Sequence, residues 1–412
     1  MRDLVVIGGG PAGMMCAVMA ARRGLRPTIL DPNLQLGRKL RITGKGRCNV
    51  TNACDIKTFM ANIPGDGRFL YSAMSRFGTR EVMGFFEELG VPLKVERGDR
   101  VFPVSDNAND IADALVRECR RLGVETIRTT AREILAEGGR VRAVRTGEGE
   151  IACRAAAVCT GGLSYPKTGS NGAGYRFAES LGHTVVPPRP SLVPLVSDDP
   201  WCAEMQGLSL RNVTLSAYED GKLIFRELGE MLFTHFGVSG PLVLSASAKM
   251  RRMGSARYGL KIDLKPGLDE KKLEARILRD LESMPRRGSK ELLGGLVNRS
   301  MVPVLLEMSG IPADQPCSAF TREQRAWLVQ TLKAFPVSVS GFRPIDEAIV
   351  TAGGVSTKEV DPRSMGSKLV RGLYFAGEVL DLDAYTGGFN LQIAWCTGYV
   401  AGNSVRKEDE EG

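Results

Sequence analysis

The chain has 412 residues, 43% hydrophobic and 25% charged, which is globular composition with length for two to three domains and excludes wholesale disorder. The net charge is +8, and the tail from Arg406 to Glu411 holds two basic and four acidic residues, so the remainder is more basic still. A basic surface favours polyanionic or phosphate-bearing partners without naming one, and the lack of an apolar run near 20 residues excludes a membrane-spanning helix.

Residues 3 to 31 read as strand, turn, helix, strand. Leu4 to Ile7 is a short continuous apolar run, the pattern of a parallel strand buried on both faces. It starts so near Met1 that no leader peptide is expected. Gly8-Gly9-Gly10-Pro11-Ala12-Gly13 follows, then an Ala/Met-rich helix that Gly24 stops, then a second strand over Pro27 to Leu30. The turn satisfies G-x-G-x-x-G between a strand and a helix, and Asp31 lies 18 residues beyond Gly13, near the spacing of a ribose-binding acid. In such a unit Gly8 makes the tight turn, Gly10 lets backbone approach a pyrophosphate, and Gly13 packs helix on strand. Pro11 and Ala12 open the helix, whose positive end faces the phosphates.

Residues 80–92 and 108–122 read as helices, and 124–160 as strands and a hairpin ending at Thr160-Gly161-Gly162. Val185 to Pro194 is Pro-rich and marks a change of composition. An alternating, turn-punctuated pattern then runs to Leu264 and predicts a small antiparallel β domain. Leu273, Ile277, Leu281 and Met284 switch to helical period, and Pro285 stops that helix. Pro303 must kink or split the next helix, and Thr321-x-x-Gln324 is a capping box opening a third. The expected division is therefore 1–190 and 348–412 for the dinucleotide-binding domain, 191–265 and 336–347 for the β domain, and 266–335 for a helical insert.

Gly372 to Glu378 is a strand ending in Gly377 and an acid. Flavoproteins of the glutathione-reductase type close their FAD site in this way, the acid usually being Asp and holding the ribityl or pyrophosphate end, so Gly377 and Glu378 are expected to bind the cofactor. An NAD-only Rossmann domain needs no such strand from the far end of the chain. The fold class is thus α/β, with a bipartite Rossmann-like FAD domain. No second strand-GxGxxG-helix unit exists, so an NADPH or NADH donor would bind only transiently. Tyr385 to Gln392, including Gly388, Asn390 and Leu391, opens an apolar helix whose N-terminus suits the flavin pyrimidine edge, where charge develops on reduction.

The run from Gly37 to Asn52 (GRKLRITGKGRCNVTN) resembles the signature of the BaiN/RdsA-like flavoproteins, the YhiN family, as do PKTGSNGAGY (166–175), LFTHFGVSGP (232–241), TAGGV (351–355) and YTGGFNLQIAW (385–395). The resemblance implies a bipartite FAD domain interrupted by a β-barrel-like domain with a helical subdomain. It also implies that Ala131 contacts adenine at the end of a third strand (Thr130 to Ile134), and that Lys39, Gly44 and Asn49 line the flavin. Resembling proteins reduce uridine in ribosomal RNA, reduce a conjugated C=C bond of bile-acid intermediates, or are labelled amine oxidases. The first two share one reaction.

FAD supplies hydride, so the protein must supply orientation and a proton. Cys48 is the first candidate acid. Arg38, Lys39, Arg41, Lys45 and Arg47 surround it in sequence with no carboxylate between 32 and 54, which should lower a thiol pKa. His235, before the Gly237 to Pro241 turn, is the second candidate. His183 reads as structural, and Tyr165 and Tyr385 are weaker donors. The nine cysteines show no CxxC spacing, so no metal site is expected and the thiols read as reduced in a cytoplasmic protein. Residues 245–300 carry twice as many basic as acidic side chains, among them Lys249, Arg251, Arg252, Arg286, Arg287 and Lys290. That excess suggests contact with RNA phosphates, and the resemblance implies ribosomal RNA as the partner. The leading expectation is FAD- and NAD(P)H-dependent reduction of uridine to dihydrouridine in 23S ribosomal RNA. The alternatives are a small-molecule enone reductase, an amine oxidase, or an RNA-binding protein that keeps FAD as a structural part.

Overall fold

A computed structural model describes residues 1–406; the rest of the acidic tail lies outside the described residues. The chain divides into two compact units. One comprises Met1–Ser191 with Ile345–Gly412, and the other Leu192–Pro344.

In the first unit β1 (Arg2–Ile7) leads through α1 (Pro11–Arg22) to β2 (Pro27–Leu30). β1 lies between β2 and the strand Gly149–Val158, parallel to both. Leu4, Val5 and Val6 are fully buried, which is why this strand shows no polar alternation. Glu125–Ile127 adds a parallel edge beside β2, and Leu373–Phe375 adds one beside Gly149–Val158. The latter strand returns from the far end of the sequence and pairs with Ala156 to Val158. The first half of Gly149–Val158 belongs to an antiparallel meander with Ala131–Glu137 and Arg140–Thr146. The parallel strand therefore ends at Ile127, and Ala131 opens the meander instead of closing a third parallel strand. The Pro-rich stretch is itself a strand, Val185–Ser191, paired antiparallel with Val350–Val355 and irregular between Val186 and Arg189. Pro187 and Pro188 fall in that irregularity, where a missing N–H is tolerated.

The helix Phe389–Ser404 packs against α1 at close range. A Cβ on Gly398 would lie 2.4 Å from the Ala12 carbonyl oxygen, and one on Gly402 would lie 2.2 Å from that of Cys16. Only glycine allows the two backbones this approach. His183 is buried near Phe375, with Nε2 2.8 Å from Ser367 Oγ and Nδ1 3.5 Å from Glu359. Burial lowers its pKa, so it is a structural neutral imidazole.

The second unit holds a seven-stranded antiparallel sheet. Its order is Phe335–Val339, Tyr258–Asp263, Ser209–Glu219, Lys222–Thr234, Gly237–Ser239, Leu195–Val196 and Gly341–Phe342. The helices Glu270–Ser283, Ser289–Leu296, Met301–Ser309 and Arg322–Lys333 lie in sequence between its two neighbouring strands Tyr258–Asp263 and Phe335–Val339. Leu273, Ile277 and Leu281 are buried in the unit's core. Pro303 sits in the first turn of Met301–Ser309, where no N–H is needed, so it separates two helices without kinking either. The Thr321/Gln324 capping box forms as its spacing predicts.

Gly402→Ala must push two helix backbones apart or unfold their contact. The expected outcome is a loss of about 1–3 kcal/mol of stability, measured by denaturant unfolding.

Candidate functional site

The Gly-rich turn is closed on its sheet side. A Cβ on Gly8 would meet the Cys159 carbonyl oxygen at 2.5 Å, and one on Gly13 would meet that of Gly8 at 1.9 Å. In front of Gly10 a Cβ would touch nothing within 4 Å. The positive φ of +104° at Gly8 excludes other residues from the turn. The N–H of Gly9 donates to Asp31 Oδ2 at 2.7 Å, while Asp31 Oδ1 accepts from the Asn33 backbone and amide at 2.8 Å. Asp31 thus locks the turn and keeps a free lone pair on Oδ2 for a ribose hydroxyl. No side chain caps α1 and no acid occupies its first turn. An open, uncapped helix terminus, with room in front of Gly10 and no acid in its first turn, fits a pyrophosphate.

Gly377 brings the other end of the sequence to this turn. Its N–H donates to Thr397 Oγ1 at 2.9 Å, and a Cβ there would lie 2.8 Å from that of Ala12. Beside it Glu378 reaches across to Lys39: Nζ lies 2.7 Å from Oε2, and both side chains are 20% exposed. Glu378 Oε1 accepts from Ser164 Oγ and from the Thr351 backbone, each at 2.9 Å. Lys39 also donates to Ser164 Oγ at 2.6 Å. Thr351 Oγ1 in turn accepts from the backbones of Leu163 and Ser164. Neither Ser164 nor Thr351 stands out in the sequence. Ser164 falls between the strand end at Gly162 and the motif that starts at Pro166, Thr351 lies in a run marked only as a family motif, and their partners are far away along the chain.

The loop 43–52 holds the start of the helix Phe389–Ser404. With its amide oriented to match donors to acceptors, Asn49 accepts from Gly388 N at 3.1 Å and donates to Thr51 and Val101 carbonyls. Thr51 Oγ1 donates to Gln392 at 2.6 Å, Gln392 donates to the Phe77 carbonyl, and Trp395 Nε1 donates to that of Val50 at 2.9 Å. Asn390 clips the preceding loop, bonding Ala384 through both ends of its amide. Leu391 packs partly buried against the core. Asn49 and Asn390 are therefore engaged in building this helix start. No side chain caps it and no acid sits in its first turn, so its positive end is unopposed by this helix's own residues.

The expected activation of Cys48 does not survive. Its side chain is fully buried, and desolvation pushes the thiol up to about 12 despite a hydrogen bond with Thr43. Four of the five neighbouring cations are held elsewhere. Arg41 pairs with Asp113, Arg47 with Glu96 and Asp106, Lys39 with Glu378, and Arg38 donates to Asn33. Those carboxylates arrive from distant segments that local sequence does not reveal. Gly44 and Lys45 are left-handed, with φ of +57° and +58°, and Cys48 at +60° closes the loop. His235 lies in the second unit, exposed on the turn between Lys222–Thr234 and Gly237–Ser239, with its ring edge-on to Phe236. With the thiol held protonated in an apolar site, Cys48→Ala is expected to leave turnover within about threefold of wild type in steady-state assays.

Residues 2–404 match the family described as HI0933-like protein Rossmann domain. A 3-dehydro-bile acid delta(4,6)-reductase of Clostridium scindens is 33% identical over 98% of this chain and 99% of its own. A ribosomal RNA dihydrouridine synthase of Haemophilus influenzae is 31% identical over 98% of both chains. A solved 3-ketosteroid-delta4-(5alpha)-dehydrogenase of Rhodococcus jostii shares the fold, with a TM-score of 0.56 and 16% identity over 99% of this chain and 97% of its own. Matched from strand β1 to its terminal helix, the chain belongs to the HI0933-like family and is an FAD-dependent oxidoreductase.

Proposed function

We propose that this oxidoreductase reduces an electron-poor C=C bond with electrons from NADPH or NADH, and that its substrate is a uridine of 23S ribosomal RNA. The activities named for the two relatives amount to one reaction type, addition of a hydride and a proton across a conjugated double bond. Bound FAD would supply the hydride. The turn Gly8–Gly13 would hold its pyrophosphate at the open end of α1, with Asp31 at the adenosine ribose. The unopposed end of the terminal helix would favour the negative charge that develops on the flavin's pyrimidine edge when it is reduced.

One observation carries the choice of RNA. Arg286, Arg287 and Lys290 are exposed, adjacent, and without a carboxylate partner among the described residues. The wider basic set is thinner than its sequence implies. Arg252 is spent on Glu219 and Asp220, and Lys249 faces Glu227. Three unpaired cations on one turn suit phosphate, whereas a steroid-like enone gains nothing from them. The bile-acid relative keeps the small-molecule reading as the second one. His235 is the proposed proton donor, because its imidazole is exposed and so open to a substrate.

Dihydrouridine mapping of 23S ribosomal RNA from a strain lacking this protein should show one uridine restored; an unchanged map contradicts the RNA reading. Charge reversal at Arg286, Arg287 and Lys290 should weaken RNA turnover by about tenfold or more and leave flavin reduction by NADPH intact. Equal loss with a Δ4,6-3-keto steroid as acceptor would count against the assignment. His235→Gln should slow alkene reduction by about 10²-fold without changing flavin reduction, read by stopped-flow absorbance.

A further inference from the structure

The place at the end of the strand Leu373–Phe375 where an acid was expected to grip the cofactor directly is taken by a glutamate already occupied by protein. Glu378 Oε2 is held by Lys39 at 2.7 Å, and Oε1 by Ser164 Oγ and the Thr351 N–H at 2.9 Å each. The longer side chain makes this possible, since it spans from the Gly377 turn to three other segments. A Cβ on Gly162 would lie 2.4 Å from Thr351 Oγ1 and 3.1 Å from Glu378 Oε1, so glycine there admits Thr351 and leaves the carboxylate room beside it. Four stretches, around 39, 164, 351 and 378, meet at this carboxylate.

The position has an electrostatic cost. Gly377 lies against Ala12 in the first turn of α1, and Glu378 is the next residue, so its negative charge belongs to the surroundings of the open terminus that suits a pyrophosphate. An unpaired carboxylate there would repel phosphate and oppose the helix's positive end. Lys39 removes that charge. Its ammonium has three N–H donors, of which Glu378 and Ser164 take two, and the side chain remains 20% exposed.

We propose that Glu378 is a positioning residue for the protein and not a ligand of FAD, and that Lys39 is the counter-charge that makes the neighbouring site habitable for the dianionic cofactor, with its third N–H left for an oxygen of the cofactor's linker. This rests on the FAD reading above and assigns the two charges opposite effects on it. Lys39→Met leaves a bare carboxylate beside the phosphates, so affinity falls. Glu378→Gln keeps the shape and an acceptor oxygen for the Thr351 N–H, and leaves Lys39 uncompensated, so affinity holds or rises. The double variant restores neutrality and recovers much of the loss.

The test is FAD titration of apoprotein, read by quenching of flavin fluorescence, for wild type, Lys39→Met, Lys39→Arg, Glu378→Gln and the double variant. Lys39→Met should bind about tenfold or more weaker, and the deficit should shrink as salt rises from about 0.05 to about 0.5 M. Lys39→Arg should stay within about threefold of wild type, because the charge is kept. The double variant should bind more tightly than Lys39→Met alone. A purely structural pair would instead give a double variant at least as weak as either single one, and that result overturns the proposal. So does a Glu378→Gln variant that loses affinity as a direct ligand would. If Glu378→Gln does not fold, the salt series on Lys39→Met and Lys39→Arg decides alone, and a salt-independent loss overturns it. Wild-type protein that takes up no FAD overturns the cofactor reading and this proposal together; a wild type that binds, with the wrong pattern among the variants, overturns only the latter.

Discussion

The site depends on two backbones coming closer than any side chain permits. The helix Phe389–Ser404 lies on α1 with Gly398 and Gly402 against the carbonyl oxygens of Ala12 and Cys16. These helices stand near opposite ends of the sequence, and their contact brings the Gly377 turn onto the first turn of α1. Fixing a long-range contact costs chain entropy, which the buried apolar faces of both helices must offset. Trp395 of the terminal helix and Met14 and Met15 of α1 are all fully buried, each such side chain contributing about 2 kcal/mol.

Around that contact, polar groups are used to hold segments and only secondarily to face a ligand. Asp31 fastens the Gly-rich turn, Asn49 and Thr51 fasten the start of the terminal helix, and Glu378 fastens three other segments at once. The ligand-facing surface is then mostly backbone: the open front of Gly10 and two uncapped helix termini. Such a surface binds an anionic cofactor without flexible charged side chains, so little is reorganised on binding.

What was legible in the sequence was local. The turn Gly8–Gly13, the stops at Gly24 and Pro285, and the Thr321/Gln324 box each depend on residues a few positions apart, and their chemistry is unambiguous. The strand at Leu373 was legible because a Gly-acid ending is a local pattern too. What was not legible depended on distant partners. The cations around Cys48 read as an activating field because Glu96, Asp106, Asp113 and Glu378 are far from them in sequence, and burial then decided the thiol's fate. Ser164 and Thr351 were invisible for the same reason. The Pro-rich strand Val185–Ser191 read as a boundary because proline discourages ladders, yet a two-stranded ribbon with an irregularity accepts it.

The central claim is that segments from both ends of the chain assemble one FAD site. The direct measurement is the visible spectrum of the purified protein, followed by quantitation of cofactor released on denaturation. The account predicts a flavin spectrum and about one FAD per chain, recovered after stripping and reconstitution. A colourless protein that takes up no FAD on reconstitution would contradict it.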